Sequence, residues 1–146
     1  MIINVKKLAE DAIIPEYQTA GAAGFDFHAL EEIYIYPGDI SLVKTGLAFE
    51  IPEGYELQVI PRSGVSLKTK LRVANSPGCI DSDYRGEVCV IMENISKHDS
   101  RIPIIIKKHE RIAQGKIVPI VRADFKQVSA LSVTKRGEGG FGSTKA

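Results

Sequence analysis

Apolar positions along this chain recur at every second residue rather than every third or fourth. Ile33 and Ile35, then Ile40 and Leu42, are spaced by two, with Pro37-Gly38-Asp39 between them as a turn. Side chains alternate across a strand, so this pattern predicts a β-hairpin. Further short runs rich in β-branched and aromatic residues occupy 47–51, 55–60, 88–91, 102–106 and 117–121, each bounded by Gly, Pro, Asn or Asp. Short strands at this spacing predict an all-β sandwich or barrel. One helix of about two turns is expected over 63–71, after Pro61, and no long amphipathic stretch with a period of 3.6 occurs.

The last twelve residues break the pattern. From Lys135 the chain reads Lys-Arg-Gly-Glu-Gly-Gly-Phe-Gly-Ser-Thr-Lys-Ala, four glycines around one aromatic, which cannot build a packed element. The expected organisation is therefore a β domain over 1–134 and a mobile C-terminal arm over 135–146.

Composition then narrows the class. With 146 residues, 44% apolar and 25% charged, the chain suits one globular core. A net charge of +1, from 19 basic and 18 acidic residues, provides no field to hold a nucleic-acid polymer. Apolar runs are too short to span a bilayer and the N-terminus lacks a signal-peptide pattern, so no membrane partner and a cytoplasmic location are expected. The two cysteines, Cys79 and Cys89, form no metal-site spacing or disulfide framework and are expected as small buried hydrophobes.

Three segments carry candidate chemistry. Residues 78–88, Gly-Cys-Ile-Asp-Ser-Asp-Tyr-Arg-Gly-Glu-Val, place two apolar β pieces around a polar turn. Splayed strands there would offer backbone N–H and C=O groups to the edge of a flat ligand, and the nearby Asn75 amide would add a donor and an acceptor. The same residues would serve equally as a turn with solvated charges. Pro61-Arg62-Ser63-Gly64 opens the expected helix, where backbone N–H groups favour an anion. A plain helix cap by Ser63 would use the same residues. In the arm, Arg136, Phe141, Ser143 and Thr144 lie in a Gly-rich string able to stack on a base and cradle phosphates, or to form a disordered tail.

Taken together the segments resemble the five ordered motifs of the trimeric dUTPase family. Ala23-Gly24-Phe25-Asp26-Phe27 is similar to the first, Pro61-Arg62-Ser63-Gly64 to the second, residues 78–86 to the third, Arg111-Ile112-Ala113-Gln114 to the fourth and residues 136–144 to the fifth. They run from 23 to 144, nearly the whole chain. Phe25 stands where Tyr or Leu is also common, and Cys79 occupies a variable position beside the base pocket.

The resemblance implies a jelly-roll-like β-clip fold and a homotrimer with active sites between subunits, each completed by the arm of a third chain. It implies hydrolysis of dUTP to dUMP and pyrophosphate, which lowers dUTP and supplies dUMP for thymidylate synthesis. Asp81 would deprotonate the attacking water. Arg62, Ser63, Gly64 and Gln114 would contact phosphates, with Arg136, Gly142, Ser143 and Thr144 closing from the arm. Uracil would be read by backbone around Gly78, Cys79, Ile80 and Cys89 and by Asn75, with Phe141 stacked above it and Tyr84 against the deoxyribose. Mg²⁺ would be chelated by the triphosphate and reach the protein through water, with Asp26 as its outer-shell acid. The nearest alternative on the same fold is a dCTP deaminase-like enzyme, against which the fifth motif argues. A non-catalytic nucleotide-binding regulatory module is the alternative from another class, and Asp81 with a complete arm argues against it.

Overall fold

The computed structural model describes residues 1–97 and 101–140, which form eleven strands and one short helix. The strands are β1 (Asn4–Lys7), β2 (Phe25–His28), β3 (Ile33–Ile35), β4 (Ile40–Lys44), β5 (Leu47–Glu50), β6 (Tyr55–Pro61), β7 (Leu71–Val73), β8 (Gly78–Ile80), β9 (Cys89–Asn94), β10 (Ile104–Ile106) and β11 (Arg111–Pro119). The helix α1 spans Ser63–Lys68. All strand pairs are antiparallel, in four small sheets ordered β2-β11-β6-β8, β4-β9-β7, β1-β5 and β10-β3. This is the expected all-β architecture with a jelly-roll character, in which successive strands alternate between sheets.

That alternation overturns one local expectation. The turn between β3 and β4 exists, with the Asp39 N–H donating to the Tyr36 carbonyl at 3.0 Å and Gly38 at φ 84°. The two strands nevertheless do not pair. β3 bonds to β10 and β4 to β9, so the turn carries the chain from one sheet to another. Spacing by two fixes which side chains face inward, but a partner strand is chosen by long-range packing.

Other boundaries shift for local reasons. The helix stops at Lys68, and Leu71, expected at its end, starts β7, where it is buried. The strand expected over 117–121 is the end of the longer β11, which begins at Arg111. No helix or strand follows Pro119 among the described residues, so the irregular segment starts before the Gly-rich composition does.

The core is built from Phe27, Ile35, Leu47, Ile51, Leu57, Met92, Ile106 and Ile112, all at most 2% exposed. Phe25, Phe27 and Phe49 form an aromatic cluster, with Phe25 edge-on to Phe27 at 5.5 Å and Phe27 edge-on to Phe49 at 5.9 Å. Gly115 lies against it: a Cβ there would come within 2.2 Å of the Phe25 ring. Gly46 is required twice, by its φ of +71° and by the Ala12 side chain 2.8 Å from where a Cβ would stand.

Candidate active site

The expected residues fall into two groups along β6. The first surrounds a cavity of about 310 Å³ beside β8, which pairs with the Leu57–Val59 stretch of β6; this volume is at the small end of the range for ligand pockets. Asn75, Gly78, Cys79, Ile80, Asp81, Tyr84 and Cys89, which the resemblance assigns to the base and sugar, all line it. Leu42, Val59, Glu87 and Ile91 complete the wall and were not foreseen. Their signal was available in part, since Leu42 and Val59 sit in runs where apolar residues recur at every second position and Ile91 lies in the continuous apolar run 88–92.

This cavity is open because its two limbs belong to different sheets. β8 pairs with β6, through Gly78 opposite Val59 and Ile80 opposite Leu57, and is the edge strand of its sheet. β9 pairs with β4 and β7 instead. The limbs therefore splay, and the outer edge of β8 keeps unpaired backbone groups of the kind that can read a planar polar ring. Asn75 is folded onto Gly78, its amide nitrogen 3.0 Å from where a Cβ at 78 would stand, so any larger residue would push the amide aside.

Asp81 is exposed at the cavity mouth, and its side chain makes no hydrogen bond or ion pair among the described residues. Its backbone carbonyl accepts from the Tyr84 N–H at 3.2 Å, closing the turn. The Tyr84 hydroxyl donates to the Glu87 carbonyl at 3.0 Å. Arg85 points away and donates to the Ser82 and Tyr84 carbonyls, which stiffens the tip. Both cysteines are held in the neutral thiol form. A hydrogen bond with Glu56 pushes the Cys79 pKa up, and burial does the same for Cys89. Cys79 is exposed rather than buried, so only Cys89 approaches the small core hydrophobe expected of both.

The second group gathers where β6 ends. Arg62 occupies the position before α1 and makes no helix cap. Its Nε turns instead to Asp26, donating to Oδ1 at 2.9 Å. Arg111 donates to Oδ2 of the same carboxylate at 3.2 Å. The first-turn N–H groups of α1, Ser63 and Gly64 among them, have no intrahelical partner, and no side chain caps the helix to supply one. Gln114 stands directly across from Asp26 in the β2–β11 ladder and shares its face of the sheet. His28, next along β2, is kept neutral by burial, and its Nδ1 lies buried without a hydrogen-bond partner.

A β-bulge assembles this corner. The β2–β11 register shifts between Arg111 and Ala113. Arg111 and Gln114 are three residues apart and would face opposite sides of a regular strand, but the extra residue turns both toward Asp26 while Ile112 and Ala113 enter the core. Arg111 is thus a site residue that the sequence reading placed in a motif without giving it a role.

Asp26 is 2% exposed, while the side chains of Arg62 and Arg111 are 26% and 43% exposed. Replacing it with asparagine leaves two close guanidiniums without a counter-charge. We expect Asp26→Asn to lose about 2 kcal/mol of stability in urea unfolding, less than the 3–5 kcal/mol of a fully buried pair because water reaches both arginines. A loss below about 0.5 kcal/mol would mean that the arginines are solvated independently.

Ile80 pairs with Leu57, so Asp81 lies level with Glu56, and Arg62 follows Glu56 by six residues. At about 3.3 Å per residue the two ends of the site are about 20 Å apart within one chain. Arg136 lies in the irregular segment, its Nε donating to the Gly139 carbonyl at 2.7 Å. Phe141, Gly142, Ser143 and Thr144 lie outside the described residues.

A ring-sized pocket and a basic, anion-ready corner on one all-β body put the chain in the class of β-fold proteins that handle nucleoside phosphates. Comparison with known proteins narrows this. The dUTPase family matches residues 10–145, and the chain belongs to that family. The deoxyuridine 5'-triphosphate nucleotidohydrolase of Nautilia profundicola is 53% identical over 144 residues, covering 99% of both chains. Its namesake in Helicobacter pylori strain Shi470 is 46% identical, covering 99% of this chain and 97% of its own. Among solved structures, the Staphylococcus bacteriophage 80alpha dUTPase with dUpNHpp superposes with a TM-score of 0.88 at 33% identity, over 99% of both chains. A variant of the dUTPase from phage phi11 of S. aureus, described with a structural Mg(II) ion, gives a TM-score of 0.82 at 29% identity, over 89% of this chain and 98% of that one. No helix of the described residues is long and apolar enough to cross a membrane.

Proposed function

We propose that the protein hydrolyses dUTP to dUMP and pyrophosphate in the cytoplasm, as a homotrimer whose active sites lie between subunits. The observation that carries the reaction is the cavity, in which every residue expected to read uracil and deoxyribose from the body of the chain meets beside a free carboxylate. In the reaction a water oxygen attacks the α-phosphorus while Asp81 takes its proton. The bond from that phosphorus to the bridging oxygen breaks, and pyrophosphate leaves.

The distance along β6 supports the shared site. A triphosphate chain is shorter than the roughly 20 Å of backbone between the levels of Asp81 and Arg62, which favours a nucleotide that meets the two from different copies. Arg62, Ser63, Gly64 and Gln114 therefore serve the phosphates of a nucleotide whose base sits in the hairpin of a neighbouring copy. Arg136, Phe141, Gly142, Ser143 and Thr144 would close over it from a third.

Mg²⁺ bound to the triphosphate oxygens would neutralise charge that builds up as pyrophosphate departs. The residues fit such an ion in part: Mg²⁺ keeps several waters when phosphates hold it, but Asp26 is almost fully buried with an arginine on each oxygen, so it would act on those waters through the charge it shares with Arg62 and Arg111.

Pyrophosphate release measured across dUTP, dTTP, dCTP and UTP tests the reading. Release from dUTP is expected to exceed that from the others at least about tenfold, because the dTTP methyl and the UTP 2′-hydroxyl must be forced into packed walls and the cytosine amino group of dCTP presents a donor where uracil presents an acceptor. Failure to cleave dUTP with magnesium supplied, or equal cleavage of dTTP, would overturn it. Ammonia released from dCTP would assign the deaminase chemistry instead.

A further inference from the structure

We propose that Gly86 and Glu87 are positioning residues for sugar selectivity, because together they seat the Tyr84 ring against the pocket; this rests on the reading of Tyr84 as the deoxyribose-facing wall. A Cβ at Gly86 would stand 2.4 Å from the Tyr84 hydroxyl oxygen, 2.6 Å from Cζ and 3.0 Å from Cε2. The hydroxyl end of the ring thus lies against residue 86, in space that any side chain would fill. The hydroxyl is tethered in the same place, donating to the Glu87 carbonyl at 3.0 Å. With the ring 44% exposed, core packing does little to hold it there.

The tether is itself anchored. The Glu87 carboxylate accepts from the Gly46 N–H at 2.8 Å, and Gly46 is fixed by its positive φ and its contact with Ala12. One residue on, the Val88 N–H donates to the Leu47 carbonyl at 2.8 Å, and its carbonyl accepts from the Thr45 hydroxyl at 2.5 Å. The turn between β4 and β5 therefore holds the outgoing limb of the hairpin, and that limb holds the tyrosine. An alanine at 86 must push the ring out of this seat, toward solvent or into the sugar's space. Loss of the Glu87 carboxylate frees the carbonyl that tethers the hydroxyl. Either change weakens the wall that a 2′-hydroxyl would strike.

The test compares kcat/KM for dUTP and UTP in wild type, Gly86→Ala, Glu87→Ala and Glu87→Gln. Gly86→Ala is expected to narrow the dUTP preference at least about tenfold, with the change falling mainly on KM. Glu87→Ala should narrow it in the same direction, and Glu87→Gln, which keeps an acceptor oxygen for the Gly46 N–H, should restore most of it. A preference within about twofold of wild type in Gly86→Ala would overturn the inference. Should Gly86→Ala fail to fold, equal preferences in the two Glu87 variants would overturn it. A wild-type protein that does not prefer dUTP would sink the functional reading itself, which separates the two failures.

Discussion

Asp81→Asn lowers turnover of dUTP at least about a hundredfold while leaving nucleotide binding largely intact, the loss expected when a general base is removed but its shape is kept. The geometry sets this expectation. Asp81 stands at the mouth of the base cavity with a side chain that no neighbour engages, whereas Asp26, the other candidate acid, is committed to two arginines. An amide at position 81 can still hold a water but cannot take its proton. Pyrophosphate release under saturating dUTP measures the rate, and calorimetric titration with a non-hydrolysable analogue measures binding. Near-normal turnover would remove Asp81 from the role.

Deleting residues 136–146 leaves the fold and its melting temperature unchanged yet removes most catalysis, at least about a hundredfold, the scale on which a lost charge-stabilising group acts. The hydrogen bonds of Arg136, Gly137 and Gly139 run only within 134–139, and the core is closed by strands that end at Pro119. Among the described residues, none of these hydrogen bonds reaches the strands of the body. What the deletion removes is Arg136, together with Phe141, Ser143 and Thr144, for which contacts to base and phosphates are proposed. Circular dichroism and thermal melting check the fold, and pyrophosphate release checks the chemistry. A truncated chain that fails to fold would show that the arm is structural.

Much of the site was legible in the sequence because its parts are local. Residues 78–84 carry the cavity's edge strand, its carboxylate and its tyrosine in one short stretch, and alternation plus a polar turn is enough to place them together. The buried strand β2 was less legible. Phe25, Asp26 and Phe27 are all buried, so the alternation that marks a half-exposed strand is lost. Both faces are covered, one by the aromatic cluster and the other by Arg62 and Arg111, which makes a carboxylate tolerable there.

From residue types and spacing alone come the all-β class, most strand positions and the irregular end of the chain, while ring reading and anion binding stand beside plainer alternatives until the five motifs are taken together. These depend on what each short segment can do with its own backbone. Which strand pairs with which, the bulge that turns Arg111 and Gln114 toward the same carboxylate, and the opposite placement of Asp81 and Arg62 along β6 emerge only in three dimensions. Such features are set by contacts between residues far apart in the chain, where a shift of one position reverses every side chain and no local pattern records the shift.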